Sequence, residues 1–226
     1  MALKNILKNG TSIKTSGTTG PPKNLFQSPE KIKFANKVAR DVQKITNTSK
    51  VYTVCKLDHA GGLLAQTMPA LEIEADVCIE QFNPFRWVNK IQNFTHSHLT
   101  PGMALAVTKT KGWENLDLSD KIIACGSDKV PAECINRFVS KGATFIANWG
   151  MSEVGPIAIN KTFSPKDAEA YDLPGYTLMG DLSFCDTKII RHQLYVKGDI
   201  SIYDDWFATG DVVKYEKGCF WYYGRK

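Results

Sequence analysis

Residues 15–23 carry a dense set of groups that could bind phosphate. The segment reads TSGTTGPPK, with four hydroxyl side chains, two glycines and a final lysine. Small residues let backbone N–H groups approach phosphate oxygens, hydroxyls donate further hydrogen bonds, and a lysine neutralises charge. The Walker A pattern fails, because Pro22 stands where its second glycine belongs and Asn24 where Ser or Thr belongs. The segment predicts a phosphate-binding loop of another kind, with an ordinary surface loop as the alternative.

Four further segments combine glycine with charged, hydroxyl-bearing or aromatic side chains. They are LDHAGGL (57–63), WGMSE (149–153), WFATGD (206–211) and YGRK (223–226). With TSGTTGPPK they resemble, in order, the motifs of the adenylate-forming superfamily, which contains acyl-CoA synthetases, aryl-CoA ligases, luciferases and non-ribosomal peptide adenylation domains. In WGMSE, a tryptophan replaces the usual tyrosine and a serine the usual threonine. The resemblance covers essentially the whole chain.

The resemblance implies a site for ATP and Mg²⁺. The residues implied to bind ATP are Thr15, Ser16, Gly17, Thr18, Thr19, Gly20, Lys23, Gly126, Asn148, Trp149, Gly150, Ser152, Asp211 and Arg225. The loop 15–23 would hold the β- and γ-phosphates, and Ser152 would contact the α-phosphate. Glu153 would bind Mg²⁺, a hard ion that favours carboxylate oxygen. An ordinary solvated carboxylate is the alternative for Glu153.

The same resemblance implies how the adenosine would be held. Gly126 would lie against the adenine, as would the backbone near Asn148 and Trp149, and the indole could stack on the base. Asp211 would accept hydrogen bonds from both ribose hydroxyls, using two oxygens for two donors. Arg225 would reach the ribose or the α-phosphate. The alternative for Asp211 is that it caps a turn.

The resemblance also implies catalytic residues and an acyl pocket. The implied catalytic residues are Lys23, Ser152, Glu153 and Arg225, and those of the acyl pocket are His59, Trp149 and Met151. For His59, a role as a packed core histidine is an alternative of equal weight. His96 and His98, in the segment THSHL, are not expected to hold a metal, because two histidines without a third ligand make a poor site.

The sequence pattern predicts that alternating helices and strands position these residues. Ser28 predicts a helix N-cap, with Pro29 at the first helical position. The apolar runs predicted as strands are 51–55, 75–80, 103–107, 121–126 and 143–150. Such alternation predicts an α/β fold with a helix-flanked, mostly parallel sheet, followed by a small antiparallel β region that includes a hairpin at Lys217-Gly218. We divide the chain into a nucleotide-binding core (1–160) and a small β-rich region (161–226).

Composition excludes several classes of protein. The 226 residues carry a formal net charge of +5 in scattered positions, which gives no support for nucleic-acid binding. No apolar stretch approaches the length of a membrane span. The six cysteines contain no CxxC pair and lie mostly in apolar runs, which predicts reduced thiols in a cytoplasmic protein.

The chain departs from the resembled family in length. Only fourteen residues precede Thr15, and the sequence ends at Lys226, the family's hinge. The resemblance therefore implies that a leading α/β subdomain and a C-terminal domain with a catalytic lysine are missing. We expect an acid ligase with impaired or partner-dependent activity, acting on a small carboxylic acid, with coenzyme A as a further candidate substrate. A bare sheet face would favour a homo-oligomer or a complementing subunit. The alternatives are a non-catalytic nucleotide or acyl-adenylate binding module and one half of a split synthetase.

Overall fold

The computed structural model describes residues 3–15 and 23–226. Within these ranges the strands form three sheets. The smallest is an antiparallel hairpin of β1 (Thr11–Lys14) and β2 (Asn24–Gln27). This hairpin supports both ends of the segment TSGTTGPPK.

The main sheet is mostly parallel, which confirms the predicted fold class. In spatial order it contains β10 (Leu182–Ser183), β8 (Gly155–Phe163), β7 (Thr144–Met151), β6 (Ile122–Cys125), β5 (His96–Leu99), β3 (Lys50–Thr53) and β4 (Asp76–Ile79). The strands from β4 to β7 in this order are parallel, whereas β8 pairs antiparallel with both of its neighbours, β7 and β10. The parallel strands therefore end at one edge of the sheet, which is where ligands bind in open α/β sheets.

Helices connect and cover these strands. They are α1 (Ile6–Asn9), α2 (Pro29–Gln43), α3 (Ala60–Gly62), α4 (Met68–Glu72), α5 (Pro84–Lys90), α6 (Pro101–Thr108) and α7 (Ala132–Val139), with a π turn at Leu63–Thr67 and 3-10 turns at Leu3–Asn5, Ile91–Asn93 and Lys111–Trp113. The predicted start of α2 is confirmed: Ser28 accepts a hydrogen bond from the backbone N–H of Lys31, and Pro29 is the first helical residue. No described helix is long and apolar enough to cross a membrane.

The prediction of a strand at residues 103–107 is wrong. The segment lies in α6, and the preceding strand is β5. Thr100 caps this helix, since its hydroxyl accepts a hydrogen bond from the N–H of Met103, and Pro101 occupies the first helical position. A short apolar run does not distinguish a strand from a buried helix, so the capping residues decide.

The second sheet is antiparallel and follows the main one in the chain. In spatial order it contains β11 (Asp186–Ile190), β12 (Gln193–Lys197), β13 (Phe207–Glu216), β14 (Cys219–Arg225) and β9 (Thr177–Gly180). The predicted hairpin is confirmed, because β13 and β14 are joined at Lys217 and Gly218, which both have positive φ. The division at residue 160 stays a prediction, and β8 runs across it.

A shared hydrophobic cluster holds the second sheet near the carboxyl edge of the main one. Ala35 and Val38 of α2 pack in one cluster with Val154 and Ile159 from the β7–β8 region and with Val213 of β13. Burial of such side chains stabilises the arrangement by about 1.5 to 3 kcal/mol for each large residue. The cluster therefore fixes β13 and β14 beside the segment WGMSE.

Candidate functional site

The base of the predicted phosphate loop is closed by two hydrogen bonds. The N–H of Thr15 donates to the carbonyl of Lys23 at 2.9 Å, and the N–H of Lys23 donates to the Thr15 hydroxyl at 2.9 Å. Lys23 itself is exposed. The remaining predicted loop residues, Ser16, Gly17, Thr18, Thr19 and Gly20, lie outside the described residues. Their role as phosphate ligands stays a prediction.

The carbonyl of Lys14, one residue before this loop, joins three of the sequence motifs. His59 donates from Nδ1 to this oxygen at 3.1 Å, and the Ser152 hydroxyl donates to it at 3.4 Å. Gln27 of β2 holds the same region by donating from Nε2 to the carbonyl of Ser152 at 3.0 Å. His59 is half-exposed rather than packed in the core. The loop base, the histidine segment and WGMSE are therefore neighbours.

Gly126 and Asn148 meet at the ends of β6 and β7. Asn148 donates from Nδ2 to the carbonyl of Cys125 at 2.8 Å, which turns its side chain across the end of β6. A Cβ at Gly126 would lie 2.5 Å from Asn148 Oδ1 and 2.7 Å from the Asn148 carbonyl oxygen. Glycine is required here because neither atom can move freely. The two residues implied to border the adenine are thus in contact.

Gly150 is required for a related reason. A Cβ at this position would lie 2.4 Å from the carbonyl oxygen of Gly155 and 2.8 Å from the Cα of Pro156, both on the paired strand β8. The register shifts between Trp149 and Met151 at this close approach. The irregularity turns the end of β7 before Ser152 and Glu153, so the local backbone decides where WGMSE presents its side chains.

The turn of WFATGD is held by the hydroxyl of Thr209. This hydroxyl donates to the carbonyl of Leu194 on β12 at 2.9 Å and accepts from the N–H of Asp211 at 3.0 Å. Gly210, between them, has a φ of 80°, which favours glycine. The threonine and glycine of the motif thus set the position of the aspartate.

Asp211 lies at the centre of what we call the carboxylate cluster, formed by Trp149, Asp211 and Arg225. Asp211 and Arg225 are directly paired across β13 and β14, and Arg225 Nε lies 3.1 Å from Asp211 Oδ1. The indole N–H of Trp149, on the main sheet, donates to Asp211 Oδ2 at 2.8 Å. Asp211 is only 5% exposed. The cluster therefore links the two sheets through one buried carboxylate.

In this cluster the effect of burial on the pKa of Asp211 is larger than that of its partners. Burial raises the pKa of Asp211, while the charge of Arg225 and the hydrogen bond from Trp149 oppose that rise. The charge of Glu153 adds to it, so the Glu153 side chain lies within electrostatic range of Asp211. Among the described residues Glu153 makes no side-chain hydrogen bond or ion pair, and its oxygens suit a hard cation such as Mg²⁺.

Further contacts hold the YGRK segment against the cluster. Arg225 Nη2 donates to the carbonyl of Thr209 at 3.2 Å and lies 3.9 Å from Met151 Sδ. Lys129, in the loop after β6, donates from Nζ to the carbonyl of Tyr223 at 2.6 Å. Lys129, Lys14 and Gln27 were not predicted from the sequence. Lys129 acts through its ammonium, Lys14 through its backbone carbonyl and Gln27 through its side-chain amide, and no motif marks such contacts.

His98 forms a separate pair with Cys55, which we call the histidine cluster. Cys55 Sγ lies 3.6 Å from His98 Nδ1 at the carboxyl ends of β3 and β5. Burial lowers the pKa of His98 to about 4 and raises that of Cys55 to about 12, so both groups are neutral. His96 lies elsewhere, bonded through Nε2 to the carbonyl of Gln43. Across the described part of the chain no three metal-ligating side chains group together.

The described site residues therefore converge on one edge of the main sheet. A family of sequences described as "AMP-binding enzyme" matches residues 12–190, and the chain belongs to this family. A feruloyl-CoA synthase from Amycolatopsis is 25% identical over 146 residues, which cover 63% of this chain and 30% of that protein. A feruloyl-CoA synthase from Streptomyces matches to the same extent.

Solved structures share the fold. An O-succinylbenzoate coenzyme A synthetase from Bacillus subtilis, in complex with ATP and magnesium ion, gives a TM-score of 0.76 at 21% identity, over 94% of this chain and 49% of that one. ATP-bound MatB from Rhodopseudomonas palustris gives a TM-score of 0.75 at 17% identity, over 95% of this chain and 47% of that one. The chain thus spans about half the length of these structures and less than a third of the curated relatives it matches.

Proposed function

We propose that the protein is an adenylate-forming core, which binds ATP with Mg²⁺ and a carboxylic acid and forms an acyl-adenylate. The observation that carries the proposal is the convergence of the closed loop base, Ser152, Glu153 and the carboxylate cluster at one edge of the sheet. The family, and the CoA synthetases among its relatives, support the same reaction class.

In the proposed reaction a carboxylate oxygen attacks the α-phosphorus of ATP. A carbon-oxygen-phosphorus linkage forms, the bond to the pyrophosphate oxygen breaks, and pyrophosphate leaves with the electron pair. Two anions approach one another, so the protein must supply position and positive charge. Lys23 neutralises the leaving pyrophosphate, and Glu153 would hold the metal ion, which would supply charge neutralisation at the phosphates. Asp211 holds the ribose, while Arg225 fixes Asp211 and faces the α-phosphate.

Isotope exchange between pyrophosphate and ATP tests the proposal. The 226-residue chain is given ATP, Mg²⁺ and a panel of carboxylic acids that includes ferulate and O-succinylbenzoate, the acids named by its relatives. We expect exchange with at least one acid, reduced about a hundredfold or more in both Lys23→Ala and Glu153→Ala. The first substitution removes positive charge from the leaving pyrophosphate, and the second removes the proposed ligand of the metal ion. Lys166→Ala and Glu169→Ala, at exposed positions of another loop, are the matched controls.

The outcomes separate the proposal from the binding-module alternative. Exchange that disappears in the two site variants and survives in the two controls supports the enzyme. ATP binding in a calorimeter without exchange supports a binding module. Absence of both contradicts the proposal. Adding coenzyme A to the same mixture and measuring the acyl thioester tests whether a CoA ligase reaction follows.

Association and location also stay predictions. A homo-oligomer or a complementing subunit would show as a mass above 25.2 kDa in light scattering of the pure chain, or of the chain with its partner. All six cysteines are free thiols, as the prediction of a cytoplasmic protein requires.

A further inference from the structure

The indole of Trp149 has a role that neither stacking nor packing explains. Its N–H donates to Asp211 Oδ2 at 2.8 Å, although the two residues belong to different sheets. We propose that Trp149 is a positioning residue, which sets the rotation of the Asp211 carboxylate so that it selects a ribonucleotide over a 2′-deoxyribonucleotide. This inference rests on the proposed function, in which Asp211 binds the ribose.

The carboxylate needs two fixed donors to have a defined orientation. The terminal torsion of an aspartate is broad, so one donor alone leaves the carboxylate free to rotate over a wide range. Arg225 holds Oδ1 at 3.1 Å, and Trp149 holds Oδ2. With both oxygens held from two different sheets, the plane of the carboxylate is set by the fold. Side chains from both sheets share one hydrophobic cluster with Ala35 and Val38 of α2, and this cluster holds the two donors in place.

The two protein donors leave capacity for a ligand. An ionised carboxylate has about four lone-pair sites on its two oxygens, and it only accepts hydrogen bonds. Each oxygen therefore keeps about one site for a hydroxyl donor. The 2′- and 3′-hydroxyls of a ribose are two adjacent donors, whereas a 2′-deoxyribose offers one. Discrimination between them is greatest when the carboxylate is already oriented, because a missing hydroxyl then leaves a buried acceptor unpaired.

An indole suits this task because it is a donor only. Its N–H cannot accept a hydrogen bond, so the polarity of the contact with Asp211 is fixed. Phenylalanine has a similar aromatic face without the N–H group. Histidine has a smaller face, but its Nε2 occupies the ring position that Nε1 holds in the five-membered ring of the indole. The two substitutions thus separate hydrogen-bond donation from aromatic contact.

Calorimetric binding of ATP and of 2′-deoxy-ATP to wild type and Trp149→Phe tests the inference. We expect wild type to prefer ATP and the variant to lose about tenfold of this preference, as expected for a lost hydrogen bond to a charged group. Trp221→Phe is the matched control. It also removes an indole N–H, which donates to the carbonyl of Glu216 at 2.9 Å, yet it should keep the wild-type preference.

Trp149→His is the second variant, and it covers the case in which Trp149→Phe fails to fold. It should retain more of the preference than a variant without a ring N–H, such as Trp149→Leu. Equal weakening of both nucleotides in the Phe and His variants would mean that Trp149 acts only by packing, and this would overturn the inference. Wild type that binds ATP but does not prefer it would also overturn it, while leaving the proposed function intact. Wild type that binds neither nucleotide contradicts both.

Discussion

The carboxylate cluster and the histidine cluster are both buried, and they treat an ionisable group in opposite ways. Asp211 has a cation and a hydrogen-bond donor on its two oxygens, and these oppose the effect of burial on its pKa. His98 has a thiol, that of Cys55, beside its ring and no ion-pair partner among the described residues, and burial lowers its pKa to about 4. A buried group keeps its charge where neighbouring elements supply partners, and otherwise becomes neutral.

This difference separates a binding group from a structural one. A charged, oriented acceptor such as Asp211 can hold the hydroxyls of a ligand in a defined geometry. A neutral imidazole packed against Cys55 mainly fills space at the ends of β3 and β5. Two glycines allow the comparison to be extended from charge to packing: Gly126 contacts Asn148, which precedes Trp149 in β7, and Gly61 lies next to His98.

The largest expected effect is loss of stability in acid through His98. Its folded pKa, about 4, lies below the ordinary value of 6.5, so the unfolded chain binds the proton more tightly. The contribution of neutral His98 to the free energy of unfolding is therefore fully present above pH 6.5. It is lost as the pH falls toward 4, and the loss amounts to about 3 kcal/mol. Urea unfolding at a series of pH values should show a shallower dependence for His98→Gln than for wild type.

A matched histidine controls for general acid effects. His192 lies exposed in the turn between β11 and β12 with a φ of 65°, so His192→Asn preserves the turn and should keep the wild-type dependence. Some dependence will remain in His98→Gln, because burial also lowers the pKa of His96. Equal slopes for wild type and His98→Gln would contradict the assignment of a neutral, buried His98.

The next effect concerns the charge of Asp211. Asp211→Asn keeps an acceptor for the indole of Trp149 but removes the charge that faces Arg225 and, in the proposed function, the ribose. We expect ATP affinity to fall about thirtyfold, because hydrogen bonds to a charged acceptor are the stronger kind. Calorimetry with ATP measures the change.

Asp205→Asn is the matched control for this substitution. Asp205 is exposed, and its ion pair with Lys197 is at the surface, where such pairs contribute little. It should bind ATP as wild type does. Unchanged affinity in Asp211→Asn would remove the distinction between the two clusters, since Asp211 would then be as structural as His98.

The fold was predictable where the sequence marks element ends. Ser28 and Pro29 correctly predict the start of α2, and the Lys217-Gly218 pair correctly predicts the last hairpin. The prediction at residues 103–107 is wrong because it follows the apolar run and not Thr100 and Pro101, which mark a helix start as Ser28 and Pro29 do. Local capping chemistry was more informative there than hydrophobicity.

The site was predictable as a set of residues and not as a set of contacts. Motifs supplied Trp149, Asp211 and Arg225, and the structure brings them together. The bond between Trp149 and Asp211 joins residues 62 positions apart in different sheets, so it depends on how the sheets pack. No spacing in the sequence encodes that distance. Lys14 acts through its backbone carbonyl. Because every residue has such a group, the residue type at this position does not indicate the contact.

The smallest effects come from adding one methyl group at Gly126, which contacts Asn148, or at Gly61, which lies next to His98. Gly126→Ala should destabilise the protein by about 1 to 2 kcal/mol, because its Cβ would strike the backbone carbonyl of Asn148 at 2.7 Å, and strand backbones move little. Gly61→Ala should lower the free energy of unfolding by less than Gly126→Ala does. Its Cβ would lie 2.8 Å from the Ser127 hydroxyl, which is exposed and can rotate, and 3.2 Å from His98 Cε1.

The position of Gly61 in a helix further reduces the loss of stability expected for Gly61→Ala. Alanine is favoured over glycine in a helix by about 1 kcal/mol, and Gly61 lies in α3, whereas Gly126 follows a strand. Chemical unfolding of the two variants should therefore place Gly61→Ala within about 1 kcal/mol of wild type and Gly126→Ala below it. ATP affinity should fall only in Gly126→Ala, since Asn148 must move there. If Gly61→Ala were the less stable of the two variants, the packing around His98 would be more rigid than the packing between Gly126 and Asn148.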